Sequence, residues 1–96
     1  MYHSVITEDS QNLDLVLELA DRVRIARAGK PWTQIELAAA ARVSRATVVR
    51  IESGIGTPHM RTVRALAEAF GLAPSELFPD LARLWAGPSV RKVRSG

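Results

Sequence analysis

Ninety-six residues, 47% of them hydrophobic and 24% charged, fit one globular domain with one core and exclude both wholesale disorder and two independently stable lobes. The absence of cysteine excludes a disulfide framework or a cysteine zinc site, the isolated His3 and His59 form no metal cluster, and no apolar run approaches the length of a bilayer span. The net charge of +3 conceals an uneven split, with five acids and no base over residues 1–21 but nine bases against two acids over residues 22–64, the footprint expected of a nucleic-acid face.

The opening MYHSVITEDSQ has neither the basic nor the apolar region of a secretory leader, so residues 1–11 read as an N-terminal tail and the chain is expected in the cytoplasm. Asn12 can cap a first helix running to about Ala28, with Val16, Leu19, Val23 and Ala26 on one side, and Gly29-Lys30-Pro31 ends it. TQIE then forms a capping box in which Thr33 and Glu36 satisfy each other's backbone donors, opening a second helix at about Gln34. That helix is about two turns long, because Arg42-Val43 interrupts before Ser44 caps a third helix. Thr57-Pro58 reads as N-cap and first residue of a fourth helix, with Met60, Val63, Leu66, Ala67 and Phe70 as its buried stripe and Gly71 as its stop. Pro74 begins a fifth helix carrying Leu77 and Phe78, and a last turn or two from Asp80 to Ala86 ends at Gly87-Pro88, leaving residues 87–96 as a basic tail. No sustained alternation marks a sheet and no repeat is present, so the fold class is all-α with its domain over residues 12–86.

The third helix poses a physical question. At 100° per residue, Val48 and Ile51 share one side, while Ala46, Val49, Arg50 and Ser53 lie on roughly the opposite side with Arg45 at its border. An outward valine between arginines needs a partner other than water. Two short helices joined by a tight turn, the second with one apolar and one basic face, are what a helix-turn-helix requires.

From Leu19 to Phe78, TQxELA, VSRxT, IESG, the TP restart and the PSEL ending follow in an order that resembles the phage repressor and Cro type of helix-turn-helix domain, the xenobiotic-response-element family. The resemblance covers about 60 residues and implies a compact five-helix, lambda-repressor-like domain with a short C-terminal helical extension. It also implies roles. Gln34 matches a phosphate contact at a helix N-terminus, Arg45, Ala46 and Arg50 match base-reading positions, Ser44 and Thr47 fall beside the DNA backbone, and Arg61 resembles a second phosphate contact. Arginine can donate two parallel hydrogen bonds to guanine, and Ala46 and Val49 can pack on a thymine methyl, which gives Val49 its partner. Arg27 and Glu52 match a structural salt bridge between the first and third helices.

The resemblance has departures. Arg42 stands where the turn normally carries glycine, which implies either a left-handed arginine or a turn built differently, and Ile55-Gly56 stands where lysine is frequent. Trp32 is expected to plug the gap between the first two helices. Leu77, Phe78, Leu81, Leu84 and Trp85 are expected to leave an apolar surface that assembles a homodimer. The function expected is a transcriptional regulator binding a palindromic operator in double-stranded DNA. The alternatives are an antitoxin that also binds a toxin protein, or an interaction module of the same fold. No catalytic grouping, metal cluster or phosphate-binding glycine loop is present, so no enzyme activity, cofactor, metal or membrane partner is expected.

Overall fold

The computed structural model describes residues 8–86. Six helices follow in chain order, α1 (Glu8–Gly29), α2 (Gln34–Ala41), α3 (Arg45–Glu52), α4 (Met60–Phe70), α5 (Pro74–Leu77) and α6 (Leu81–Ala86), with no strand among the described residues. The all-α body and its short C-terminal helical extension are thus both present. α1 begins four residues ahead of Asn12, which lies inside the helix instead of capping it, and residues 8–11 leave the expected tail. The reason is local: Glu8 to Gln11 contains no glycine or proline to stop the helix from extending.

The inner stripe of α1, with Leu15, Val16, Leu19 and Val23 buried, packs on Leu37 from α2, Val48 and Ile51 from α3, and Val63, Leu66 and Phe70 from α4. Capping sets where these stripes start and stop. The Glu36 amide donates to Thr33 Oγ1 at 3.1 Å and the Thr33 amide to Glu36 Oε1 at 2.8 Å, so α2 starts on the expected reciprocal cap. It closes on Arg42 at φ 60° and ψ 42°, with the Arg42 amide donating to Ala39 O and the Val43 amide to Ala38 O. The turn is therefore the ordinary left-handed closure made with an arginine, at a cost of about 1 kcal/mol, and not one built differently.

α3 ends on the same pair of bonds. The Ile55 amide donates to Arg50 O at 2.9 Å and the Gly54 amide to Ile51 O at 3.1 Å, with Gly54 at φ 72°. The left-handed backbone favours glycine there, and a Cβ on Gly54 would also lie 2.6 Å from Leu17 Cδ2, the end of an exposed side chain that would have to turn aside.

Two expectations about α4 are corrected. Its first carbonyl acceptor is that of His59, which takes the Thr62 and Val63 amides, so His59 is the N-cap and Thr57-Pro58 precedes the helix. His59 itself is still extended, at φ −70° and ψ 149°, which delays the first helical turn to Met60. Met60, at that open first turn, is 42% exposed and not part of the buried stripe.

The C-terminal segment is corrected as well. Leu77, Phe78 and Leu84 are buried in the monomer core, Leu81 is half-buried against it, and the Trp85 side chain lies outside the described residues. Burial in one chain uses up the apolar area that was expected to drive pairing. Trp32 also has another neighbour than expected. It is half-buried and stacks on Phe70 of α4, ring centroids 6.1 Å apart, with Lys30 Nζ 5.7 Å from its own centroid.

Candidate nucleic-acid interface

The sequence of α3 divides cleanly between two environments. Val48, Ile51 and Glu52 are buried, whereas Arg45, Ala46 and Arg50 are exposed and Thr47 and Val49 are half-buried. Ser44 fixes where the helix begins, since its Oγ accepts from the Thr47 amide at 3.0 Å and lies 2.9 Å from Thr47 Oγ1. Thr47 therefore turns its hydroxyl toward the cap.

The other end of α3 is fixed by a buried carboxylate. Glu52, only 5% exposed, receives Arg27 Nε at 2.7 Å on Oε2 and Arg27 Nη2 at 3.0 Å on Oε1, a two-pronged ion pair between α1 and α3. Arg27 Nη1 also donates to the Trp32 carbonyl at 2.9 Å. Hydrogen bonding to Glu52 raises the Arg27 guanidinium above its ordinary value, with burial opposing the rise and the Glu52 charge adding to it. The arginine stays charged at any physiological pH.

Gln34 belongs to the same cluster. Its Nε2 donates to Glu52 Oε1 at 3.0 Å, so the first residue of α2 is tied to the last residue of α3. Arg24 adds a hydrogen bond to the Glu52 carbonyl while also pairing with Asp21. Neither the Gln34 nor the Arg24 connection was visible in the sequence, because the partners lie 18 and 28 positions away and no spacing rule links them.

Arg50 stands at the exit of α3 and borders a polar cavity of about 210 Å³ with Thr47, Thr57, His59 and Thr62. Its Nη2 lies 3.3 Å from where a Cβ on Gly56 would sit, so glycine keeps the loop clear of the guanidinium. Arg61 is exposed on α4 but borders a different groove, shared with Arg64 and Glu68. The site residues thus fall into three groups: the Arg27–Glu52–Gln34 cluster, the Ser44–Thr47 cap with the exposed face of α3, and Arg61 apart on α4. Among the described residues no group of His, Asp or Glu is placed to hold a metal ion, and no helix is long and apolar enough to cross a membrane.

A comparison with protein families matches residues 23–77 to the helix-turn-helix family of the Cro/C1 type. No curated protein and no solved structure gives a significant match. Because the match spans more than half of the chain, from the last two turns of α1 to the end of α5, the chain belongs to this helix-turn-helix family, the DNA-binding transcription regulators of the xenobiotic-response-element type.

Proposed function

We propose that this family member is a sequence-specific regulator that reads an operator in double-stranded DNA through the exposed face of α3. The observation that supports this reading is the division of α3 itself. Arg45, Ala46 and Arg50 stand in solvent on a helix whose opposite face is fixed by Val48, Ile51 and Glu52. A helix locked on one side and bare on the other suits a major groove. Arg45 and Arg50 are assigned to guanine edges, Ala46 and Val49 to thymine methyls, and Ser44, Thr47 and Arg61 to the backbone. A carboxamide has two N–H donors, so Gln34 can keep its bond to Glu52 and offer the other hydrogen to a phosphate.

The regulator is further proposed to act in the cytoplasm as a homodimer, presenting two such helices about 34 Å apart to the half-sites of a palindrome. With Leu77, Phe78 and Leu84 buried, the pairing surface has to lie elsewhere than on those three side chains.

Selection of bound duplexes from a random pool, followed by salt titrations of Arg50→Ala, Gln34→Ala and Arg61→Ala, tests the assignment. Arg50→Ala is expected to cost about 1–3 kcal/mol per half-site on the selected operator and much less on scrambled DNA. Arg61→Ala should weaken both duplexes alike and lower the salt slope by about 1, and Gln34→Ala should weaken both as well, with a further loss on the operator because it also releases Glu52. Equal losses on both duplexes for Arg50→Ala would make Arg50 a phosphate contact. Recovery of no preferred sequence would remove the operator reading altogether.

A further inference from the structure

Between α1 and α5 the surface opens into a groove of about 450 Å³ whose walls include Ile25, Ala26, Leu72 and Leu77. Ile25 is 71% exposed, more than any other large apolar side chain among the described residues. The rim carries three carboxylates, Glu18, Asp21 and Glu76, against one guanidinium, Arg22, a net −2 in a chain whose total is +3. None of the residues assigned to DNA lines it. Glu18 and Asp21 are bridged to Arg22 and Arg24, and Glu76 accepts from the Ala73 amide, but both helix pairs are surface pairs and a carboxylate accepts more than one donor.

The chain supplies a segment of matching chemistry. Residues 87–96, GPSVRKVRSG, carry Arg91, Lys92 and Arg94 with no acid, and place Val90 and Val93 three apart. That spacing puts both valines on one side of a single helical turn or of a polyproline helix, with basic residues between and beyond them. Reach is sufficient, since α6 packs on α1 and ten residues span about 33 Å when extended, against a body measuring 45 × 33 × 20 Å. A second copy fits less well, because stable pairing buries about 1,200 Å² or more, whereas this groove accommodates a short segment.

We infer that residues 87–96 dock into the α1–α5 groove of their own chain, with Val90 and Val93 against Ile25 and Leu72 and the basic side chains along the Glu18, Asp21 and Glu76 rim. Docked there, Arg91, Lys92 and Arg94 are withheld from DNA phosphates. The inference does not depend on which sequence α3 reads.

These 96 residues include no cysteine, so Ser95→Cys offers a single attachment point for a nitroxide on the whole 96-residue chain. Loss of the Ile25 and Leu72 amide signals, with recovery on chemical reduction of the nitroxide, is the expected result. Adding Val90→Asp and Val93→Asp to the labelled chain should restore those signals without touching the core, and salt of about 1 M, where the screening length is about 3 Å, should restore them partly. Three results would each overturn docking in cis. The signals could be unaffected by the label. They could be lost equally in the double aspartate variant, as a diffusing tail would produce. They could be lost as well from isotope-enriched chains without the nitroxide when nitroxide-bearing chains of natural isotope abundance are added, which would place the tail on a second molecule.

Discussion

Removing one partner of the Arg27–Glu52 pair should cost more than any substitution on the outer face of α3. Glu52 accepts three side-chain hydrogen bonds, at 2.7 and 3.0 Å from Arg27 and at 3.0 Å from Gln34, and its side chain is 4% exposed. Arg27→Ala leaves that carboxylate with Gln34 as its remaining side-chain donor in a nearly dry site, for an expected loss of about 3 kcal/mol, and up to about 5 if no water enters. Glu52→Gln keeps the shape and some of the bonds but removes the charge. Arg27 is itself 23% exposed and can turn partly to water, so about 2 kcal/mol is expected there. A domain of this size unfolds with a urea slope of about 1 kcal/mol per molar, so Arg27→Ala should lower the midpoint by about 3 M. Paired replacement by Arg27→Met with Glu52→Leu should cost less than the two single losses together. The pH dependence follows from the raised Arg27 value. Its contribution is fully present below the unfolded arginine value and is lost only as pH rises through the still higher folded value, so none of it is lost between neutrality and pH of about 11. Single variants that each lose under about 1 kcal/mol, or a double-mutant cycle with no coupling, would refute the view that this pair holds α3 to α1.

Arg42→Gly relieves a left-handed arginine and should raise Tm by about 4–8 °C for each kcal/mol of strain removed, read by calorimetry; an unchanged or lower Tm would mean that the turn carries no net strain. Gly54→Ala should lose about 1–2 kcal/mol in urea, because both the left-handed backbone and Leu17 oppose a Cβ, with the mobile end of Leu17 limiting the loss. Leu84→Ala should cost about 2–5 kcal/mol by the same measurement at every protein concentration, since Leu84 is 3% exposed within one chain; a loss that disappears at high concentration would return it to a dimer surface.

Local chemistry was legible and long-range chemistry was less so. The Thr33–Glu36 box, the Ser44 cap and the glycine stop after α3 could be read because each depends on residues within a few positions of one another. The stripe of α1 was readable for the same reason, but its start was not: a helix without a stop signal continues past a good capping residue such as Asn12. The start of α4 failed at Thr57-Pro58, where a strong N-terminal signal lies two residues ahead of the true cap at His59. Burial of the C-terminal apolar residues is not legible in the same way, because sequence shows hydrophobicity and not the space available. The gap beside α1 admits Leu77, Phe78 and Leu84 together, and only the packed helices reveal it. Within the candidate site, the outward and inward faces of α3 followed from its period, whereas the convergence of Gln34 and Arg24 on Glu52 depends on three helices meeting.

That convergence holds one short helix by its inner face and leaves its outer face open to substitution. An isolated eight-residue helix is unstable in water, so α3 owes its existence to its inner residues, its Ser44 cap and its Gly54 closure. Glu52 then sets the angle at which α3 leaves the body, since α1 holds it through Arg27 and the start of α2 holds it through Gln34. Arg45, Ala46 and Arg50 contribute little to any of this, being exposed and outside the ion-pair cluster. Surface changes of that kind typically alter stability by less than about 0.5 kcal/mol. On the proposed assignment, a change of base preference at these three positions therefore need not disturb the frame, whereas a change at Glu52 is expected to displace the exposed face of α3 whatever side chains it displays.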